Sequence, residues 1–122
     1  MDDTKNESHL VYECMKELGK HGAVYRCNSG SVQLSNGRRF SAMPKGFADI
    51  MVILPGGRAA FIECKTGKND TSEEQKRFLQ RMRELGALAG VARSVTDART
   101  ICRISGISEE GYHNGDTPQP HT

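Results

Sequence analysis

Apolar residues recur along the chain with two different periods, which divide it into helices and strands. Near the N-terminus they fall about every 3.6 residues, a spacing typical of one face of a helix. We therefore expect a first helix over Thr4–Leu18, ended by Gly19. Ser72 followed by Gln75 forms a capping box and predicts the start of a second helix. The apolar stripe of that helix comprises Phe78, Leu79, Met82 and Leu85.

Shorter apolar segments between the helices predict β-strands. They are Ala23–Cys27, Ser31–Leu34, Arg38–Ser41, Ala48–Leu54, Arg58–Lys65 and Val91–Arg93. Asn36-Gly37 is a strong signal for a hairpin between the second and third strands. Thr96 predicts the cap of a last helix over Asp97–Ile104. The order α-β-β-β-β-β-α-β-α predicts an α/β domain with a central mixed β-sheet flanked by helices.

Length and composition agree with one globular domain. The chain has 122 residues, of which 36% are hydrophobic and 26% charged, and no segment approaches the roughly 18 apolar residues of a membrane helix. Its polar N-terminus lacks the features of a secretory signal, so we expect a cytoplasmic protein without a membrane partner. Residues 1–107 form the predicted domain, and residues 108–122, which show no periodicity, form a predicted disordered tail.

The charge distribution favours a polyanionic partner. Seventeen Lys and Arg stand against 15 Asp and Glu, but the last 14 residues contain three acids and no Lys or Arg. Residues 1–108 therefore carry 17 positive against 12 negative charges, a net +5. Ten of the cations are arginines, which suit bidentate contact with phosphate. Nucleic acid is one interpretation, although many metabolic enzymes are equally basic.

The four cysteines give no sign of a metal site or of secretion. No CxxC pair occurs, so the spacing does not favour structural zinc. We expect buried, reduced thiols.

Three charged residues in apolar strands form the strongest chemical signal. Side-chain alternation places Glu63 and Lys65 on one face of their strand, about 7 Å apart, and Asp49 lies in the neighbouring strand. Two carboxylates on adjacent strands suit Mg²⁺ or Mn²⁺, and a lysine beside them could polarise water or stabilise a phosphate. The alternative is a Glu–Lys ion pair at a sheet edge with an unrelated turn Asp.

Glu7 is a second unusual acid, because it lies on the apolar stripe of the first helix. The alternative to a functional role is a first-turn carboxylate that faces the helix dipole.

Six sequence motifs, considered together, are more specific evidence of a family than these single residues are. They are Glu7, Arg26-Cys27-Asn28-Ser29-Gly30, Pro44-Lys45-Gly46-Phe47-Ala48-Asp49, Gly57-Arg58-Ala59-Ala60-Phe61-Ile62-Glu63-Cys64-Lys65, Ser72-Glu73-Glu74-Gln75 and Ser94-Val95-Thr96-Asp97-Ala98. In this order they resemble the VRR-NUC nuclease family of the restriction-endonuclease-like, PD-(D/E)XK superfamily. The resemblance implies a restriction-endonuclease-like core.

The resemblance also implies roles at an active site. Asp49 and Glu63 correspond to metal-binding acids, with the backbone carbonyl of Cys64 as a further ligand. Lys65 corresponds to the catalytic lysine. Glu7 corresponds to an N-terminal glutamate that reaches the site through water or metal. The sequence departs from the superfamily pattern at Ala48, where the superfamily name calls for proline. This difference leaves the acid, Asp49, in place.

Further positions match more loosely. Gln75 corresponds to a glutamine near the metal site, and its alternative role is that of the capping-box acceptor. Lys45 and Gly46 match a loop that approaches the substrate, where the lysine could meet phosphate. Arg26 and Asn28 belong to a block placed on the DNA-facing surface.

The function implied is that of a metal-dependent, structure-specific DNA endonuclease. Stand-alone members of the family are similar in being homodimeric enzymes that resolve four-way (Holliday) junctions, so we expect branched DNA, Mg²⁺ with Mn²⁺ as a substitute, and a homodimer. A phage or prophage origin is compatible with this type. The alternatives are a flap or other branched-DNA nuclease and a DNA-binding module without activity. A small metabolic enzyme is disfavoured, because neither GxGxxG nor GxxxxGK[ST] occurs.

Overall fold

The computed structural model describes residues 3–27, 31–41 and 43–105. The predicted tail lies outside the described residues. The elements are α1 (Asp3–Leu18), β1 (Ala23–Arg26), β2 (Ser31–Gln33), β3 (Arg39–Ser41), β4 (Ile50–Leu54), β5 (Arg58–Cys64), α2 (Glu73–Glu84), β6 (Leu88–Ala92) and α3 (Val95–Ile101). This order of helices and strands is the predicted one.

Four strands form a mixed sheet in the order β1-β4-β5-β6. The first two pairings are antiparallel and the last, between β5 and β6, is parallel. A short turn at Pro55–Gly57 joins β4 to β5, and Gly56 and Gly57 adopt positive φ there. Strands β2 and β3 form a separate hairpin. The predicted α/β class with a mixed sheet flanked by helices is confirmed.

Each face of the sheet is covered by a different helical layer. On one face, α1 and α3 contribute Cys14, Leu18 and Ala98 to a core that also includes Ile50 and Ile62. On the other face, α2 packs Leu79 and Phe78 against Phe61 of β5. Strand β5 is therefore buried on both sides, with five of its seven residues buried. A polar residue near its end must find partners within the protein.

Several boundaries differ from the prediction. Strand β6 begins at Leu88 rather than Val91, because pairing with β5 extends it through small residues of modest β propensity. Ile101 packs against Gly90 of this strand, and a Cβ added at position 90 would lie 3.0 Å from the Ile101 side chain. The predicted cap Thr96 is wrong, because the Ser94 hydroxyl accepts the N-terminal amide hydrogen bond of α3.

Smaller differences concern the ends of other elements. Helix α2 begins with the predicted capping box, but Leu85 lies past its end and is 63% exposed, so it is not part of the apolar stripe. Strand β4 begins at Ile50, and Asp49 immediately precedes it.

The four cysteines are buried and unbridged in the structure, as expected. No helix within the described ranges has the length and apolar character needed to cross a membrane.

Candidate active site

Asp49 and Glu63 lie opposite each other on adjacent strands. Ile50 of β4 pairs with Ile62 of β5, Asp49 immediately precedes β4, and its negative charge acts on Glu63, the residue after Ile62. The Asp49 carboxylate is held from two sides: its Oδ2 accepts a 2.9 Å hydrogen bond from the Cys64 amide, and its Oδ1 accepts one of 3.3 Å from Nη1 of Arg26. The structure thus brings the two predicted acids to one end of the sheet.

Glu63 is the only buried charged residue in the described part of the chain, with 2% of its surface exposed. Its Oε2 accepts a 2.9 Å hydrogen bond from Nε2 of Gln75 and lies 3.3 Å from Nζ of Lys65. Its Oε1 is buried and has no hydrogen-bond partner among the described residues. An unpartnered buried carboxylate oxygen is costly, and a bound cation or water is the kind of group that would satisfy it.

The surroundings of Glu63 change its acidity. Burial is the largest influence, and together with the negative charge of Asp49 it raises the pKa of Glu63 to about 7, against the opposing effect of Lys65. The carboxyl group therefore holds its proton to a higher pH than an ordinary glutamate does. Lys65 is itself largely buried, and it provides the nearby positive charge for this pair of acids.

Gln75 makes contacts that suit both of the roles that were alternatives in the sequence. Its Oε1 accepts a 2.8 Å hydrogen bond from the Ser72 amide and completes the capping box of α2. Its Nε2 donates to Glu63 at the same time. The cap therefore orients the amide toward the acid, and one side chain serves both the helix and the site.

Glu7 of α1 contacts the loop that follows Lys65. Since α1 begins at Asp3, Glu7 is in the second turn rather than the first, and its Oε1 accepts a 3.3 Å hydrogen bond from Nδ2 of Asn69. Its charge also contributes to the raised pKa of Glu63. Within residues 3–27, 31–41 and 43–105, no three His, Cys, Asp or Glu side chains form a group that could hold a metal ion. A role for Glu7 would therefore require a bridging water or substrate.

Cys64 presents its main chain to the site. Its thiol is buried in the core beneath α1, and the hydrogen bond with Cys14 and burial both raise its pKa above the ordinary thiol value. The thiol is accordingly protonated and unsuited to metal binding. The predicted carbonyl ligand remains a prediction.

The four predicted DNA-binding residues are placed differently from one another. Lys45 is 84% exposed and lies 3.7 Å from Glu74. Gly46 has a φ of +90°, and a Cβ there would lie 2.7 Å from the Glu74 carbonyl oxygen, so packing against α2 requires glycine. Arg26 contacts Asp49 and keeps 46% of its side chain exposed. Asn28 lies outside the described residues.

Sequence reasoning missed Arg93 and Asn69. The guanidinium of Arg93 donates to the carbonyl oxygens of Gly67 and Asn69, at 3.3 and 2.7 Å. It thereby holds the loop from which Asn69 reaches Glu7. Cys64 pairs with Ala92 in the parallel register of β5 and β6, which puts Arg93 beside Lys65. This neighbourhood could not be predicted, because the register depends on where β6 begins.

Comparisons with known proteins agree with this fold. A family model described as the VRR-NUC domain matches residues 5–96. A solved structure titled "VRR_NUC domain" is similar at 27% sequence identity with a TM-score of 0.52, and the match covers 85% of this chain and 98% of that one. A comparison with curated protein sequences finds no match.

The raised pKa of Glu63 predicts a pH-dependent stability. Between the unfolded value of about 4.5 and the folded value of about 7, the folded protein retains a proton that the unfolded chain has lost. The free energy of unfolding should therefore fall as pH rises through this range, by on the order of 3 kcal/mol. Urea unfolding in EDTA at several pH values between 5 and 8 measures this slope.

Glu63→Gln should remove this part of the slope and stabilise the protein at pH 8 relative to the wild type. Glu73→Gln, which alters an exposed carboxylate, is the matched control and should keep the wild-type slope. Parallel curves for the wild type and Glu63→Gln would contradict the raised pKa.

Proposed function

This chain belongs to the VRR-NUC family and is a nuclease of the restriction-endonuclease-like type, and we propose that it is a metal-dependent endonuclease that cuts branched DNA, acting on four-way junctions as a homodimer. The observation that carries the proposal is the buried Glu63 opposite Asp49. Lys65 and Gln75 hold one oxygen of Glu63, while the other has no partner among the described residues.

The donor set at this end of the sheet fits a hard divalent cation. The carboxylates of Asp49 and Glu63 lie close enough to influence each other electrostatically, and the unpartnered Oε1 of Glu63 supplies an oxygen of the kind that Mg²⁺ prefers. The Cys64 carbonyl is the proposed third protein ligand. Mg²⁺ characteristically keeps several waters and binds substrate phosphate, so two acids and one carbonyl are a sufficient protein contribution. When bound, the ion would acidify water and neutralise charge on the phosphate.

The protein's own groups have separate tasks in the proposed reaction. Lys65, 3.3 Å from Glu63, would orient the attacking water or stabilise the charge that develops on the phosphate. Gln75 fixes the rotamer of Glu63 through its amide. Arg26 orients the Asp49 carboxylate and places a positive charge beside it. Because 46% of the Arg26 side chain is exposed, it can also contact a phosphate. Glu7 is proposed to act through a bridging water.

Two features support a homodimer. The domain is small for a substrate with two scissile strands, and two-fold symmetry would supply a second site on the opposite strand. Strand β1 is an edge of the sheet and exposes three of its four residues. Tyr25 on this strand and Tyr12 on α1 are 52% and 60% exposed, and aromatic residues of this kind are enriched in protein interfaces.

The first test concerns Asp49. Asp49→Asn should reduce Mg²⁺-dependent cleavage by about 100-fold or more, because the site loses one of its two negative charges. DNA binding in EDTA should persist or improve, since less negative charge faces the phosphates. Asp70→Asn, in an exposed loop, is the matched control and should cleave like the wild type. Wild-type turnover by Asp49→Asn would refute the assignment, whereas an inactive wild type that still binds DNA would favour the non-catalytic binding module.

The second test separates a site role of Glu7 from a purely helical one. Glu7→Gln should reduce cleavage strongly while leaving the Tm nearly unchanged, because an amide keeps the hydrogen bond from Asn69 but loses the charge. If Glu7 only stabilised α1, activity would persist and stability would fall by about 0.3–1 kcal/mol. Glu13→Gln on the same helix is the control for the loss of a carboxylate.

The third test concerns assembly and substrate. Light scattering at micromolar concentration should give about twice the 13.4 kDa chain mass. Four-way junctions should be cut by paired, symmetric nicks in a panel that also contains flaps, splayed arms and linear duplex. A stable 13.4 kDa species that still makes paired nicks would exclude the dimer, and preferential cutting of flaps would support the alternative branched-DNA nuclease.

A further inference from the structure

The outer side of α2 and the adjoining end of the sheet form a basic surface outside the candidate active site. Its basic residues are Lys76, Arg77, Arg81 and Arg83 of α2, Arg58 of β5, and Arg103 after α3. Two neighbouring carboxylates neutralise part of it, because Glu73 lies 3.6 Å from Lys76 and Glu84 lies 3.6 Å from Arg81.

The other four arginines have no such partner. Arg58, Arg77, Arg83 and Arg103 have no carboxylate oxygen within 4 Å in the part of the chain that the structure describes. We refer to these four residues as the arginine track. Unneutralised guanidinium groups on one surface are suited to phosphate, which they can contact bidentately.

Three of these arginines line a cavity of about 360 Å³ at the end of α2. Arg58 donates to the Gly86 carbonyl at 3.4 Å, and Arg83 donates to the Ala89 carbonyl at 3.0 Å. These hydrogen bonds fix two guanidinium groups at the cavity and use only some of their five N–H donors. Arg103, which follows α3, lines the same cavity. The cavity is therefore bordered by positive charges from β5, from α2 and from the segment after α3.

Arg103 has an unusual backbone conformation. Its φ is +58°, and it is the only non-glycine residue with positive φ in the described ranges. Arg103 occupies the position after the C-cap of α3, in a Schellman motif. The Ile104 amide donates a hydrogen bond to the Arg99 carbonyl, and the Arg103 amide donates one to the Thr100 carbonyl. Glycine is the usual residue there. An arginine at this position carries a backbone strain that glycine would avoid.

The track leads away from the candidate active site along the molecule. Helix α2 starts beside Glu63, where Gln75 contacts it, and ends beside Arg58. Arg58 and Glu63 are five residues apart in β5, which spans about 17 Å. One strand of B-DNA places successive phosphates about 3.4 Å apart along the helix axis, so the same span corresponds to about five base pairs.

We propose that a duplex arm of the DNA substrate lies along α2 and that the arginine track contacts its backbone. Five base pairs are about half a helical turn, so Arg58, Arg83 and Arg103 then receive a phosphate of the complementary strand about five base pairs along the duplex axis from the scissile one, and Arg77 contacts the backbone between the two sites. This inference rests on the proposed nuclease function, because that function places the scissile phosphate at Glu63.

The direct test measures binding of a 20-base-pair duplex in EDTA by fluorescence anisotropy over a series of KCl concentrations. Arg58→Gln, Arg77→Gln and Arg103→Gly should each weaken binding several-fold and reduce the slope of log affinity against log salt by about 0.9. Arg103→Gly should in addition raise the Tm by a few degrees, because glycine relieves the left-handed strain. A loss of binding accompanied by a gain in stability cannot come from a damaged fold.

Lys16→Gln is the matched control, since Lys16 is an exposed cation of α1 on the opposite face of the sheet. It should bind DNA like the wild type. Affinities and salt slopes equal to wild type for all three arginine variants would overturn the proposal, as would an equal loss for Lys16→Gln, which would show that only total charge matters.

A cleavage assay run in parallel distinguishes this inference from the proposed function. Branched DNA with hairpin-capped arms of 4 or 12 base pairs is incubated with Mg²⁺. The wild type should cut the long-arm substrate faster, and in Arg58→Gln the ratio of the two rates should approach one. A wild type that cuts neither substrate refutes the nuclease proposal, whereas a wild type that cuts both with the same ratio as Arg58→Gln refutes only the arginine track.

Discussion

The burial of the Glu63 carboxylate is the constraint on which the candidate site depends. Strand β5 is covered by α1 and α3 on one face and by α2 on the other, so a charge near its end cannot be solvated by water alone. The protein supplies Lys65 and the amide of Gln75 as partners for one oxygen. Burial, and after it the negative charge of Asp49, outweigh the effect of Lys65 and raise the pKa of Glu63, while its second oxygen has no hydrogen-bond partner among the described residues. A buried acid of this kind reduces stability but is suited to binding a cation.

The position of α2 follows from the same constraint. For Gln75 to reach Glu63, the first turn of α2 must lie against the end of β5, and the loop before β4 must pass close beside that turn. Gly46 permits this approach, because any side chain would meet the Glu74 backbone. Its contacts show that it admits the helix, and the close substrate approach expected at this loop remains a prediction. The same placement carries the rest of α2 along the sheet, so the basic outer side of the helix begins beside the acids.

Much of this arrangement could be predicted from sequence, because it depends on local periodicity. Alternation in β5 placed Glu63 and Lys65 on one face, and the capping box located the start of α2. The contacts of Arg26, Asn69 and Arg93 could not be predicted in this way. Arg26 meets Asp49 through the β1–β4 register, and Arg93 depends on where β6 begins, which its small residues did not reveal. Long-range register is not encoded in the spacing of any one segment.

The two edges of the sheet differ in a way that bears on assembly. At the β6 edge, the Ala89 carbonyl accepts a hydrogen bond from Arg83, and a guanidinium in this position blocks the addition of another strand. The β1 edge has exposed residues, including Tyr25, and lies next to α1. If two copies associate through the β1 edge, the basic surface on α2 and the end of β6 stays free on each copy. Arg83 then has two compatible effects, since it protects an edge strand from pairing and leaves the same end of the molecule open to a polyanion.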